Sequence, residues 1–413
     1  MRVKFYTLGC KVNQYETQAI MEKFLENGHR IVDSPNADLY IVNTCTVTKR
    51  ADSKSIRLIK HIKKINPYSK IAAIGCLAEL NSDILERLKV DYIVPQSKKH
   101  LVFDIVSLSD NSNKKDIWYL KISRFFNQRA FVKIQDGCSF KCSFCKIPYV
   151  RGKSISREKD DILEEIKRLL DNNHKEIVLC GINLGLYGKD LTPKYTIEDL
   201  IEDILKINLN FRIRLSSIEP IFITERLISF FKEPKICPHI HLPFQSGDDY
   251  ILEKMNKKER VSLYKDVVKK LRSINKDIAI SCDIMVGFPY ETDDTFKNTV
   301  SFLEEIKPMR IHIFTFSPRE NTEFFNYKVK DNKIFVRYNI LKKLKDKLEL
   351  EYKTKFLKKR LYMLAEEKKN SYTIGYTENY IRVMVKDTLK LGEIFAVEVS
   401  DIKKDKVFCK RLE

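Results

Sequence analysis

The sequence predicts an α/β protein in three parts: an amino-terminal doubly wound parallel sheet, a central incomplete (β/α) barrel of six units, and a small OB-like β-barrel at the carboxyl end. Three observations predict it. Short apolar runs alternate with amphipathic helical patterns over residues 1–108, the alternation repeats six times over 129–330, and over 358–413 the period falls to two with turn residues between runs. With 413 residues, 43% of them hydrophobic, each part is long enough to bury a core.

In the first part the strand-like runs are "VKFYTL", "LYIVN", "IAAIG" and "YIV", separated by helical patterns such as "QAIMEKFLENG" and "DILERLK". Strands joined through helices pair in parallel, because the chain must cross back before the next strand begins. The polar stretch "SLSDNSNKKD" that follows reads as a linker. Cys10 comes just after the first strand, Cys45 just after the second and Cys76 just after the third. In an open parallel sheet the carboxyl ends of the strands share one edge, where such folds place their ligands. Three cysteines more than thirty residues apart in the chain are therefore expected to meet there. A thiolate-lined metal or cluster site is the favoured reading, over three small core residues.

The six strands of the second part are "AFVKIQ", "EIVLCG", "FRIRLSS", "HIHLPF", "IAISCDIMVG" and "RIHIFTF". Six units are two short of a closed eight-unit barrel, which implies a wide mouth for a large substrate. The active site is expected at the strand carboxyl ends, and there, after the first strand, lie Cys138, Cys142 and Cys145. A structural zinc site closes its tetrahedron with four protein ligands. The spacing CxxxCxxC supplies three, with no fourth Cys or His nearby. Thiolates also hold iron–sulfur clusters, and three of them leave one iron of a four-iron cluster open to a small molecule.

Charge points to a polyanion. The net charge is +20, and residues 328–360 carry thirteen Lys and Arg against four Asp and Glu. In "KRADSKSIRLIKHIKKINP", Lys54, Arg57, Lys60 and Lys64 recur at helical spacing beside a stripe of Ile56, Ile59 and Ile62. Two such runs on one chain lean toward RNA. In the third part, Tyr376 and Tyr380 are candidates to stack bases and Arg382 to contact phosphate. No apolar run approaches the roughly 18 residues of a membrane span, and "MRVKFYTLGC" shows no leader pattern. A cytoplasmic location is expected, with the ten cysteines as thiols or metal ligands and not disulfides.

CxxxCxxC at the head of a six-unit barrel resembles the radical S-adenosylmethionine (SAM) superfamily. "TLGCKVNQYE", "VNTCTVT" and the "GC" at Cys76 look like the three cysteine motifs of the methylthiotransferase amino-terminal domain. "QDGCSFKCSFCKIPYVRG", "RLSSIEP", "HLPFQSG", "DIMVGFPYET" and "SPRENT" look like successive motifs of the catalytic barrel, and the last part looks like the RNA-gripping TRAM domain. The resemblance covers essentially the whole chain and is closest to the MtaB type, which methylthiolates threonylcarbamoyladenosine at position 37 beside the tRNA anticodon.

The resemblance implies two 4Fe-4S clusters, one on Cys138, Cys142 and Cys145 that binds SAM and one on Cys10, Cys45 and Cys76 that holds the sulfur. It implies three partners: tRNA at its anticodon stem-loop, SAM, and a reducing protein such as a flavodoxin or ferredoxin. The C2–H bond of adenine is unactivated, so the implied chemistry is radical: one-electron reduction of SAM yields a 5′-deoxyadenosyl radical that abstracts hydrogen. By the same resemblance Gly181, Asn183, Ser216, Ser217 and Glu219 line the SAM pocket, and Gln245, Ser246 and Arg319 face SAM or substrate. Arg151 and Arg157 are expected to touch RNA or the cluster surroundings, and His239 and His241 to pack or hydrogen-bond locally. Cys180, Cys237, Cys282 and Cys409 receive no role. The chain departs from the family pattern at Tyr290, at Glu320 and Asn321, and in "MNKKER", which lacks the usual Arg and Tyr. Isopentenyladenosine in tRNA, a ribosomal-protein aspartate, or a non-catalytic iron–sulfur RNA sensor remain alternative readings.

Overall fold

The computed structural model describes residues 1–108, 116–327 and 333–412. Most of the expected linker, 109–115, and the start of the basic extension, 331–332, lie outside the described residues. The first part is a five-stranded, all-parallel sheet: β1 (Arg2–Thr7), β2 (Arg30–Ile31), β3 (Leu39–Thr44), β4 (Lys70–Gly75) and β5 (Tyr92–Pro95), in the order β2-β1-β3-β4-β5. Helix α1 (Lys11–Glu26) packs Ile20 and Phe24 on one face with Val3, Leu39 and Ile41. Helix α2 (Lys49–Ile65) packs Ile59 and Ile62 on the other with Tyr40, Val42 and Ile71. Both faces are covered, so β3, "LYIVNT", is buried at every position and shows no alternation.

The central strands are β6 (Arg129–Lys133), β9 (Glu176–Cys180), β10 (Arg212–Leu215), β11 (His239–Gln245), β12 (Ala279–Val286) and β13 (Arg310–Thr315). Between the first two of these, β7 (Gln135–Asp136) and β8 (Ile155–Ser156) form a small antiparallel pair. The six run parallel as two three-stranded sheets, joined by the bridges Ile213↔Ile236 and Ser217↔His241. The arc stays open between β6 and β13. Helix α1 of the first part packs against β6 on that side, and the helix Ile334–Thr354 packs against β13.

The last part is a closed barrel of β14 (Arg360–Lys369), β15 (Tyr372–Thr377), β16 (Arg382–Val385), β17 (Ile394–Lys403) and β18 (Lys406–Arg411). Closure brings β14 and β15 so near that a Cβ on Gly375 would lie 1.8 Å from the Leu364 carbonyl oxygen. The barrel docks under the amino ends of the central strands. Arg212 donates to the carbonyls of Tyr362 (2.7 Å) and Tyr376 (2.9 Å), and Arg214 to those of Glu378 (3.0 Å) and Thr377 (3.1 Å). No helix among the described residues is long and apolar enough to cross a membrane.

Candidate active site

Strands β1, β3 and β4 end side by side, with Thr7 in register with Asn43 and Thr44 with Gly75. The residues that follow each end carry Cys10, Cys45 and Cys76 to one edge. Two glycines make the approach possible. At Gly9 (φ +98°) a Cβ would meet Cys45 Sγ at 3.0 Å, and at Gly75 (φ +89°) it would meet Lys99 Nζ at 3.0 Å. Asn13 stitches two of the three loops, its Nδ2 donating to the carbonyls of Leu8 (2.7 Å) and Thr44 (3.0 Å). All three cysteines are free thiols. Burial pushes Cys45 up to about 11, with Cys76 and Cys10 adding to the rise, and pushes Cys76 up against the pull of Arg151 and Lys99. Cys45 and Cys76, both buried, resist ionisation singly, and Cys10 is exposed at the same edge; thiolate bonds to a metal remove the penalty. The trio fits a cluster.

The second trio lies in the loop between β7 and β8, whose pairing pins the loop's base. Gly137 (φ +69°) is required there, since a Cβ would stand 2.0 Å from the Lys153 carbonyl oxygen. The Cys138 amide donates to Gly152 O at 3.0 Å, and Ser143 is held by Met255 O (3.1 Å) and Lys254 O (2.8 Å). Burial raises Cys138 and Cys142 and pushes Cys145 up to about 11, while Lys257 pulls all three down. Lys257 itself bonds Glu219 at 2.6 Å and Pro243 O at 3.0 Å. Sequence reasoning missed this cation; the signal was its place in "MNKKER", where the family's arginine is absent.

The other expected positions divide. Gly181, Ser216, Ser217, Glu219 and Gln245 follow or end β9, β10 and β11, on the same rim as the cysteine loop. A Cβ on Gly181 would meet Gln135 Oε1 at 2.8 Å, and that oxygen accepts from the amides of Ile182 and Asn183. Ser216 Oγ is buried without a partner among the described residues. Asn183 caps the turn Leu184–Leu186, accepting from Gly185 N at 3.2 Å, and Ser246 bonds Thr299 and Asp248 N. Those two side chains serve local structure. Arg319 reaches away from the rim into the first part, donating to Thr46 O (2.8 Å) and Asp52 (2.6 Å).

Three residues weighed for RNA contact are committed elsewhere, and Arg151 lies in the cluster surroundings, its other expected place. Arg151 is 1% exposed and bonded to Asp136 (2.8 Å), Glu16 (3.1 Å) and Asn13 (2.6 Å). Arg157 is fully buried against Glu165 at 2.7 Å. A guanidinium in a carboxylate-lined interior is unavailable to phosphate. Tyr380 packs at a tilt on His239 (4.4 Å) and stacks on Tyr376 (5.0 Å), with Arg214 over its ring at 4.7 Å, while Arg129 lies 4.5 Å over Tyr376. Docking of the small barrel packs Tyr380 against the large one, while Tyr376 stays half-exposed in a surface cavity that it shares with Arg382. Arg382 stays exposed, paired with Glu367 at 2.6 Å.

Polar side chains line the barrel interior. Glu176 joins Arg212 (2.6 Å) and Arg214 (2.7 Å). A row crosses the far strands: His239 and His241 each bond Ser281 Oγ at 3.0 Å, and Asp283 contacts His241 (3.3 Å) and His312 (3.2 Å). Burial works against the Asp283 charge, but the two imidazoles hold its carboxyl far below the usual range. Cys180, Cys237, Cys282 and Cys409 are buried.

Residues 132–303 match the Radical SAM superfamily and residues 2–95 the family described as Uncharacterized protein family UPF0004. The chain is 35% identical to the threonylcarbamoyladenosine tRNA methylthiotransferase MtaB of Thermotoga maritima, covering 100% of this chain and 97% of that one. It is 33% identical to the protein of the same name from Bacillus subtilis, covering 96% and 93%. A tRNA-2-methylthio-N(6)-dimethylallyladenosine synthase of Thermodesulfovibrio yellowstonii is also 33% identical, covering 95% of each. In fold the chain is similar to the radical SAM methyltransferase TsrM of Kitasatospora setae, with a TM-score of 0.56 at 12% identity over 76% of this chain and 72% of that one. A rim of cysteines at the mouth of a six-stranded arc, matched along its whole length by such relatives, places the chain in the MtaB-type family of radical SAM tRNA methylthiotransferases, which work with SAM and a four-iron cluster.

Proposed function

We propose that the protein adds a methylthio group to C2 of threonylcarbamoyladenosine beside the anticodon of tRNA, in the cytoplasm, drawing electrons from a flavodoxin- or ferredoxin-like partner. The observation that carries this is the pair of cysteine trios, each beyond strand carboxyl ends, in two parts tied by Arg151 to Asn13 and by Arg319 to Asp52. Cys138, Cys142 and Cys145 would hold the SAM-binding cluster, and Cys10, Cys45 and Cys76 a second one. When bound, these groups supply the deoxyadenosyl radical that takes hydrogen from C2 and the sulfur that replaces it.

The chain's own residues position these groups. The turn at Gly181 brings backbone close to the cysteine loop, and the unpartnered hydroxyl of Ser216 offers a hydrogen bond at the same rim. Ser217, Glu219 and Gln245 complete the proposed SAM pocket, with Lys257 holding Glu219 in place. Arg319, at the seam between the two parts, positions the Cys45 loop. We assign residues 1–108 to the sulfur-carrying part, 129–330 to the catalytic barrel with its basic extension to 357, and 358–413 to an RNA-binding module.

A polar interior supports an N6 arm that carries a carboxylate and a hydroxyl over an apolar dimethylallyl arm. Mass spectrometry of tRNA nucleosides from a strain lacking the gene, before and after its restoration, tests the reading. Loss and return of methylthio-threonylcarbamoyladenosine is expected; an unchanged profile overturns it.

A further inference from the structure

We propose that Lys11 binds the carboxylate of the substrate's threonylcarbamoyl arm. This rests on the substrate reading above. The arm leaves adenine at N6 and ends in a threonine carboxylate, ionised at neutral pH. Such an anion enters a half-buried site at low cost only where a cation stands ready with no other partner.

Most cations around the interior are already committed. Arg212 and Arg214 are divided between Glu176 and backbone carbonyls. Arg129 pairs with Glu366 at 2.8 Å, Lys133 and Arg151 with Glu16 and Asp136, and Lys257 with Glu219. Arg310 sits 3.9 Å from Glu349 with its guanidinium over Tyr380. Lys11 differs. It is half-buried, yet among the described residues it makes no hydrogen bond, ion pair or ring contact.

Its position suits the task. Lys11 opens α1 directly after Cys10, and α1 packs against β6 on the open side of the arc. Its charge acts on Cys180 at the end of β9, on His239 of β11 and on Tyr380 beneath them. Those three groups border the interior, and α1 lies across its open side, so the start of the helix stands at the mouth beside the first cysteine trio. The row that begins at His239 runs on to Asp283, whose negative charge disfavours a carboxylate at that end. In adenine, C6 and C2 both flank N1. An arm anchored beside Cys10 therefore draws C2 toward the first cysteine trio. A dimethylallyl arm would leave Lys11 desolvated and unpaired, which turns the same residue against that substrate.

The test compares two anticodon stem-loop RNAs, one carrying threonylcarbamoyladenosine and one carrying its methyl ester, with a third carrying dimethylallyladenosine as the check on substrate class, on the cluster-loaded enzyme. Binding is read by fluorescence anisotropy and turnover by mass spectrometry. Wild type is expected to prefer the acid about tenfold, equivalent to about 1.4 kcal/mol. In Lys11→Met the ratio is expected to collapse toward about one, and in Lys11→Arg, which keeps the charge, to persist. Because each ratio is taken within one protein, changes in cluster content or SAM cleavage cancel. A Lys11→Met enzyme that keeps the wild-type ratio, or a wild type with no preference, overturns the inference while leaving the substrate reading intact. A wild type that methylthiolates only a dimethylallyl RNA overturns both.

Discussion

Arg151 donates to Asn13 Oδ1 at 2.6 Å, joining the segment after the second cysteine trio to the helix that follows Cys10. Since Asn13 also holds the carbonyls of Leu8 and Thr44, one guanidinium governs the placement of two loops that carry cysteines. Replacing it by Arg151→Met leaves Asp136 and Glu16 buried with less positive charge. A loss of about 3 kcal/mol is expected, at the lower end for a broken buried pair because Lys99 and Lys133 remain. Urea unfolding measures it, and Arg151→Met with Asp136→Asn should recover part of the loss.

The two trios should separate by function. Cys142→Ala is expected to abolish 5′-deoxyadenosine formation from SAM, whereas Cys45→Ala should spare some of it and end methylthiolation. Chromatography of both products on the same reduced, anaerobic reaction checks the pair. Full product formation by Cys45→Ala would sink the two-cluster assignment.

Acid should loosen the joint between the two barrels. Burial works to raise Glu176, but Arg212 and Arg214 outweigh it and hold its carboxyl at about 2 against an ordinary 4.5. The contribution is therefore present above pH 4.5 and is lost as pH falls toward 2; it amounts to roughly 3 kcal/mol. Glu176→Gln should show a stability less dependent on acid over that interval, followed by circular dichroism.

On α2, Lys54, Arg57, Lys60 and Lys64 are exposed and make no ion pair among the described residues, while Ile59 and Ile62 face the core. If this face neutralises phosphates, Lys60→Ala with Lys64→Ala should weaken stem-loop binding and flatten its dependence on log salt by about 0.7 to 0.9 for each phosphate left without its lysine. An unchanged slope would move the RNA to another face.

The strand order and the two cysteine groupings were legible because both follow from short-range rules: an apolar run, a helix, a residue just past a strand end. The six central strands and the closed terminal barrel appear where periodicity put them. Arg157 with Glu165, and Tyr380 with His239, were not legible in full. Eight residues separate the first pair, but what buries it is Tyr15 of another part of the chain. The second pair exists only where two distant parts of the chain pack together, and no local pattern encodes which side of a barrel will be covered.

Arg212 and Arg214 grip the small barrel by its main chain, donating to the carbonyls of Tyr362, Tyr376, Thr377 and Glu378. Every residue type presents the same carbonyl. Those four bonds are therefore indifferent to the side chains at the positions they hold, and the part of the joint that does depend on side-chain identity narrows to Glu366 against Arg129 and Tyr380 against His239.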